Sequence, residues 1–343
     1  MNGSGSRTVR LRVAVVGLAA AASLAATACS GHGNSGQSPS PKPTPSATSA
    51  APTPSAKPKP KPKPKPSPAP AYDPLSGGKL VKGPVVGVKI DNVAQARPQA
   101  GVYLADMVVV ERVEGNLTRL LGIYHTRWPK RIGPVRSARN TDIEVLPMFS
   151  KHPGLVFSGA NSKVMKQLTK SPIRRIERSD RDNSRIAPHN VFVNLNQLRK
   201  VPGVGTQQPI GLAFGQSSQW NSAAKVGSVT IPIGSDRFGF RYASGHYRGT
   251  WNGRRQVDEN GTPVTIDNIV DLKVRYHKDK HTTSDESYVA GTVGKGTAVV
   301  YSRGRKITGT WQRASISGPL SLKTSAGKNI VLAAGHTWVM LDG

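Results

Sequence analysis

Two short stretches hold most of the residues that could do chemistry. GPVRSAR places Arg136 and Arg139 three apart, on one face if a helix begins there, beside backbone N–H groups that could help hold an anion. A guanidinium fork binds two oxygens of a carboxylate or phosphate at once, so this spacing is read as an anion cradle. The second stretch, between residues 91 and 119, carries Asp91, Asn92, Arg97, Asp106, Glu111, Glu114 and Arg119, with His189 further along. These residues fall at expected strand ends and turns, where sites are usually assembled.

Two other readings compete with the cradle. Arg119 or Arg136 could pair with Glu111 or Glu114 simply to hold strands and loops together. Glu111 or Glu114 could instead work with His189 as acid and base in hydrolysis or transglycosylation of cell wall. Against that, residues three apart in a strand face opposite sides, unless the chain turns at Val-Glu-Gly. Non-enzymatic binding is the preferred expectation and the hydrolase is the alternative.

The elements that must position these residues follow from apolar patterning. Strands are expected at Pro84 to Ile90, Met107 to Val113, Leu120 to His125, Leu155 to Ser158 and Val191 to Asn194. A short helix or turn is expected at Gln99 to Asp106, and helices at Thr141 to Phe149, Lys163 to Leu168 and Gln197 to Lys200. After Gly203 the pattern becomes that of β-structure, from Val226 to Leu341, which suggests a small antiparallel sheet or barrel. YASGHYRGTW and YSRGRKITGTW are loosely alike, as a repeated hairpin or a coincidence would make them. Their Trp251 and Trp311 read as core or cross-strand aromatics in preference to sugar-stacking platforms. The expected class is α+β, a mixed α/β N-terminal domain (75–210) followed by a small, mainly antiparallel β domain (211–343).

Ahead of these lies a different kind of chain. Arg7, Arg10 and Arg12 precede an apolar run from Val13 to Ala25, the pattern of a secretory signal and too short to span a bilayer. Leu24-Ala25-Ala26-Thr27-Ala28-Cys29-Ser30 then resembles the bacterial lipobox, with Ala26 where leucine is most common. The sequence has 1 cysteine, which excludes an internal disulfide and leaves Cys29 for lipidation. Residues 1–29 are therefore expected to be a lipoprotein signal peptide, and the mature chain to be lipid-anchored in the cell membrane on its extracytoplasmic face. Residues 30–74 are expected to be a disordered stalk rich in Pro, Lys and Ser, extended at about 3.1 Å per residue and able to reach roughly 100 Å.

The chain carries 48 Lys and Arg against 19 Asp and Glu, with none of the acidic residues before Asp73. A basic surface favours polyanions. An exported chain does not meet nucleic acid, so the expected partners are the membrane through the anchor, peptidoglycan or an anionic wall polymer, and an envelope protein.

IDNVAQARPQAGVYLADMVVVERVEGNLTRLLGIYHT, IGPVRSARNTDIE and RIAPHNVFVN, in that order, resemble the YerB-like bacterial lipoproteins over roughly residues 80–343. Asp180 stands before Arg181 where such proteins often have an aromatic. The resemblance implies two domains and a lipid anchor, and no agreed reaction.

Several apparent motifs are set aside. His277 and His281 flank Asp279, but the lysine-rich KDKHTTSDES composition reads as a solvated hairpin loop and opposes a cation. Ser325 and Lys328 have Ser-x-x-Lys spacing on a glycine turn where a helix would be needed. No metal and no cofactor is expected.

Overall fold

The computed structural model describes residues 72–343. Cys29, the signal peptide and the stalk up to residue 71 lie outside the described residues. Residues 72–74, assigned above to the stalk, pack into the fold. Tyr72 meets Phe214 edge to face at 5.9 Å, and Asp73 is fully buried. The Asp73 carboxylate accepts from the Leu75 and Ser76 amides and lies 3.1 Å from His125 Nε2.

The apolar runs become strands β1 (Val86–Asp91), β2 (Met107–Arg112), β3 (Thr118–Tyr124) and β4 (Gly154–Phe157). β5 (Arg174–Glu177) was not anticipated, because RRIE has one apolar residue to announce it. In the second half come β6 (Ser228–Ile233), β7 (Asp236–Ala243), β8 (His246–Trp251), β9 (Asn268–Lys273), β10 (Arg275–Lys278) and β11 (Tyr288–Gly291). β12 (Gly294–Ser302), β13 (Arg305–Arg313), β14 (Ser321–Thr324) and β15 (Thr337–Asp342) complete the set. The two longest helical segments are α1 (Asn140–Val145), which runs on into a 3-10 turn at Leu146–Met148, and α2 (Ser162–Lys170). Val191 to Asn194 is not a strand. Its pairing stops at single bridges from Val191 to Arg181 and from Val193 to Ile132.

Strand is the dominant structure, and the second half does not form one sheet of its own. β14, β13, β12, β9, β15, β2, β3, β1, β4 and β5 follow one another in a single mixed sheet. The junction is β15, which pairs parallel to both β9 and β2. β6, β7 and β8 form a separate antiparallel sheet with Arg254–Arg255 and Thr265–Ile266.

Both YASGHYRGTW and YSRGRKITGTW are hairpins with the same register, Tyr242 opposite Tyr247 and Tyr301 opposite Lys306. Each turns through two left-handed residues, Ser244-Gly245 and Arg303-Gly304, as the twist of a two-residue hairpin requires. They belong to different sheets, and Trp251 and Trp311 are both core residues.

The main sheet carries apolar side chains on both faces. Val86, Val88, Ile90, Val108 and Val110 join Trp338, Phe238 and Phe240 on one side. Met107, Val109, Leu121 and Ile123 join Leu146 and Phe149 on the other, where α1 packs. Period-2 alternation then puts Lys89, Asp91, Glu111 and Arg119 on the α1 side, where the apolar face ends.

Candidate functional site

The registers place Arg119 of β3 directly opposite Asp91 of β1 on one flank and Glu111 of β2 on the other. Three adjacent strands thus end in a charged row, which the α1 segment covers. Asp91 has no solvent exposure and is the hub. Its Oδ2 lies 2.6 Å from His189 Nδ1 and 3.0 Å from Arg136 Nε, and its Oδ1 lies 3.3 Å from Arg119 Nη1. The same Oδ1 accepts the Asn92 amide at 2.8 Å. A buried carboxylate must be paired and hydrogen-bonded to remain charged, and these groups do both.

A second buried group abuts the first. Lys89, also of zero exposure, is an ion-pair partner of Glu111 and lies 2.7 Å from Asp142 Oδ1. Asp142 Oδ2 accepts the Arg139 amide at 2.7 Å, an acidic side chain reaching back to the residue that starts α1. Arg139 in turn grips Glu114, with Nε and Nη2 at 2.8 and 2.7 Å from Oε2. Burial raises the proton affinity of Glu111; Lys89 opposes the shift and Asp142 adds to it. Burial alone would raise Glu114 too, but its Arg139 contacts outweigh that and hold the carboxyl below its usual range.

Of the ten residues in the folded chain singled out from sequence, seven meet here: Asp91, Glu111, Glu114, Arg119, Arg136, Arg139 and His189. The chain does turn at Val-Glu-Gly, where Gly115 (φ 62°) sits in a 3-10 turn beyond the end of β2. That turn carries Glu114 to Arg139 and leaves Glu111 with Lys89. The acid/base pairing of Glu111 and Glu114 with His189 finds no support in this geometry. Glu111 is 2 % exposed and committed to Lys89, and His189 is committed to Asp91.

The other three lie apart. Asn92 and Arg97 form a branch leading away from the hub. Arg97 Nη2 donates to Asn92 Oδ1 at 2.5 Å, and its guanidinium stacks 4.2 Å from the Trp251 ring centre. Burial lowers the Arg97 pKa to about 10, against the pull of Asp236 and Asp91. Asn92 Nδ2 continues to Thr118 Oγ1, which donates to Asp236, tying the hub to the second sheet. Asp106 precedes the far end of β2, five residues or about 16 Å from Glu111. It ties down the turn after β3 through the His125 and Thr126 amides at 2.7 and 2.9 Å and the Thr126 hydroxyl.

Sequence reasoning missed Lys89, and Asp142 entered it only as part of the IGPVRSARNTDIE stretch. A lysine in PVVGVKI, two before Asp91 and in phase with it, was the available signal.

What the arrangement can do depends on its unused donors. Every nitrogen of Arg139 is engaged, since its Nη1 also donates to the Ser137 and Ala138 carbonyls at 3.0 Å. Among the described residues, Arg119 Nε and Nη2, Arg136 Nη2 and His189 Nε2 have no hydrogen-bond partner, and the Arg136 and His189 side chains are 25 % and 15 % exposed. The result is a partly open set of donors around a neutralising carboxylate. No group of three or more His, Cys, Asp or Glu side chains arranged to hold a metal occurs among the described residues. His277 lies in β10 and His281 in the connection from β10 to β11, whose Asp279 is buried against the Asn140 amide at 2.8 and 2.9 Å.

Comparison with known proteins places this architecture. Residues 74–207 match the model described as "Protein of unknown function (DUF3048) N-terminal domain", and residues 229–339 match that of the DUF3048 C-terminal domain. The chain belongs to the YerB-like family. This YerB-like chain is 26 % identical over 288 residues to the protein named "Putative lipoprotein YerB" from Bacillus subtilis (strain 168), covering 78 % of this chain and 84 % of the relative. The crystal structure of the YerB protein from Bacillus subtilis superposes with a TM-score of 0.67 at 23 % identity, over 78 % of this chain and 95 % of that one. The YerB-like fold is thereby shared. No helix among the described residues is long and apolar enough to cross a membrane.

Proposed function

We propose that this chain is an extracytoplasmic lipoprotein, anchored through lipid on Cys29, that binds an anionic ligand of the cell envelope with Arg119, Arg136 and His189. The observation that carries the reading is Asp91, a fully buried carboxylate that hydrogen-bonds His189 and lies within ion-pair distance of Arg119 and Arg136. It fixes their orientation while leaving each with an unpaired donor. A pure scaffold would engage every nitrogen, as Arg139 illustrates. The name of the Bacillus subtilis relative and the lipobox both support the anchor. The excess of basic over acidic residues supports an anionic ligand, because charge of one sign concentrates its counter-ion.

The test is co-sedimentation of the full-length protein, held in detergent micelles, with purified peptidoglycan carrying or stripped of its anionic polymer. Binding should fall with added salt, as exposed charge pairs are screened within about 8 Å at physiological ionic strength. Arg136→Ala should weaken it. Equal binding by wild type and variant would remove the proposed site, and no binding at low salt would remove the proposed ligand class.

A further inference from the structure

Arg112 stands out among the enclosed cations. Arg97, Arg119, Arg136, Arg139 and Arg313 all have polar partners for the guanidinium. Arg112 has none: its guanidinium makes no hydrogen bond and no ion pair with any described residue, and its Nε is buried without a partner. It is held by rings instead. The Tyr276 and Tyr288 ring centres lie 4.5 and 4.7 Å from Cζ. Tyr276 is itself fixed, accepting the Arg112 amide at 3.0 Å and donating to the Leu341 carbonyl at 2.9 Å.

This stacked arginine lines a cleft of about 550 Å³ together with Val113, Gly115, Asn116, Glu286 and Tyr288. Clefts of this size accommodate small organic ligands. Stacking uses the faces of a guanidinium and leaves its edge, where the Nη donors sit, free for a planar pair of oxygens. Glu286 lines the cleft and makes no ion pair with Arg112.

We infer that the Arg112 cleft is a binding site for a small organic oxyanion, a phosphate or carboxylate on a body of sugar size, with Arg112 gripping the oxyanion edge-on between Tyr276 and Tyr288. The site is separate from the Asp91 cluster. It shares no side chain with that cluster, although Val113 and Gly115, which line the cleft, flank Glu114. Nothing in the inference depends on what the Asp91 cluster binds.

The experiment is calorimetric titration of the full-length protein in detergent micelles with glycerol 3-phosphate, glucuronate and glucose. Either or both oxyanions should bind and uncharged glucose should not; the stronger of the two identifies phosphate or carboxylate as the natural group. Arg112→Gln should weaken that binding at least tenfold, about the worth of one charge-assisted hydrogen bond. Arg112→Lys should recover only part, since an ammonium keeps the charge and lacks the fork. Tyr288→Ser, at a residue 39 % exposed, should weaken binding severalfold without unfolding the chain, and it serves if Arg112→Gln does not fold. Arg136→Ala should leave these affinities unchanged. The inference is overturned if neither oxyanion binds at about 10 mM, far above the roughly 1 mM constant of a weak site. Glucose binding as well as the oxyanions, or folded variants of Arg112 and Tyr288 binding like wild type, would overturn it equally.

Discussion

Asp91 Oδ2 lies 2.6 Å from His189 Nδ1, joining residues 98 positions apart at a point with no solvent exposure of the carboxylate. Asp91 also faces Arg119 and Arg136, so removing its charge would leave two arginines and a histidine without their shared anion. Asp91→Ala should destabilise the fold by about 3–5 kcal/mol, the usual result of stranding a buried charge partner. Asp91→Asn should cost less, because it keeps the shape and accepts hydrogen bonds. Urea unfolding of both variants measures the difference. Any envelope ligand bound through Arg119 and Arg136 should be lost in both.

Lys89 gives a parallel prediction with a different signature. It is fully buried between Glu111 and Asp142, so Lys89→Met fills the volume but leaves two carboxylates facing each other. A loss of about 3–5 kcal/mol is expected at neutral pH. Glu111 is already pushed toward protonation by burial, so the loss should shrink as the pH is lowered toward the carboxylate range. A pH-independent loss would show that packing, not charge, accounts for the role of Lys89.

The contrast between Lys89 and the residues foreseen from sequence shows what was legible and why. Strand alternation puts Val86, Val88 and Ile90 on one face and Lys89 on the other. That face is covered by α1, a second layer contributed 50 residues later, and short-range periodicity carries no information about it. The same holds for β15, whose parallel pairing to β2 joins residues 337–340 to 107–110. The Asp91 cluster was legible as a set of residue types at strand ends and in GPVRSAR. Its internal wiring was not, because Asp91, Arg136 and His189 meet only through the tertiary fold. Arg112 escaped notice for a related reason. In sequence it is one more arginine beside Glu111, and only the positions of Tyr276 and Tyr288 make its guanidinium unusual.

Two buried groups should give opposite pH dependences in one window. Burial pushes the Asp271 carboxyl up to about 6, with Lys273 opposing and Asp342 reinforcing the shift. The unfolded chain therefore releases that proton first, near 3.8, and the Asp271 contribution to stability falls as pH rises from about 4 to about 6. His336 is pushed down to about 4, mainly by burial, so the unfolded chain takes up that proton first, near 6.5. Its contribution is full above 6.5 and is lost as pH falls toward 4. Asp271→Asn should therefore make the acid-side loss of stability steeper than in wild type, and His336→Phe should make it shallower. Thermal melts at intervals between pH 4 and pH 7 would show both. Parallel curves for wild type and variant would contradict the assignment for that residue.

The anchor can be separated from simple charge attraction by salt. Six lysines, Lys42, Lys57, Lys59, Lys61, Lys63 and Lys65, follow Cys29 before the folded chain begins, with no acidic residue among them. Each lysine close to an anionic membrane contributes about 1 kcal/mol, an attraction that salt screens within a Debye length of roughly 3 Å at 1 M. A lipid chain buried in the bilayer is held by the hydrophobic effect and is indifferent to that screening. Wild-type protein should therefore stay with membranes washed in about 1 M salt and leave only with detergent, while carrying radiolabelled palmitate. Cys29→Ala should lose the label and come off in the salt wash. Release of the wild type by salt alone would mean that the lysines, and no lipid, hold the chain to the membrane.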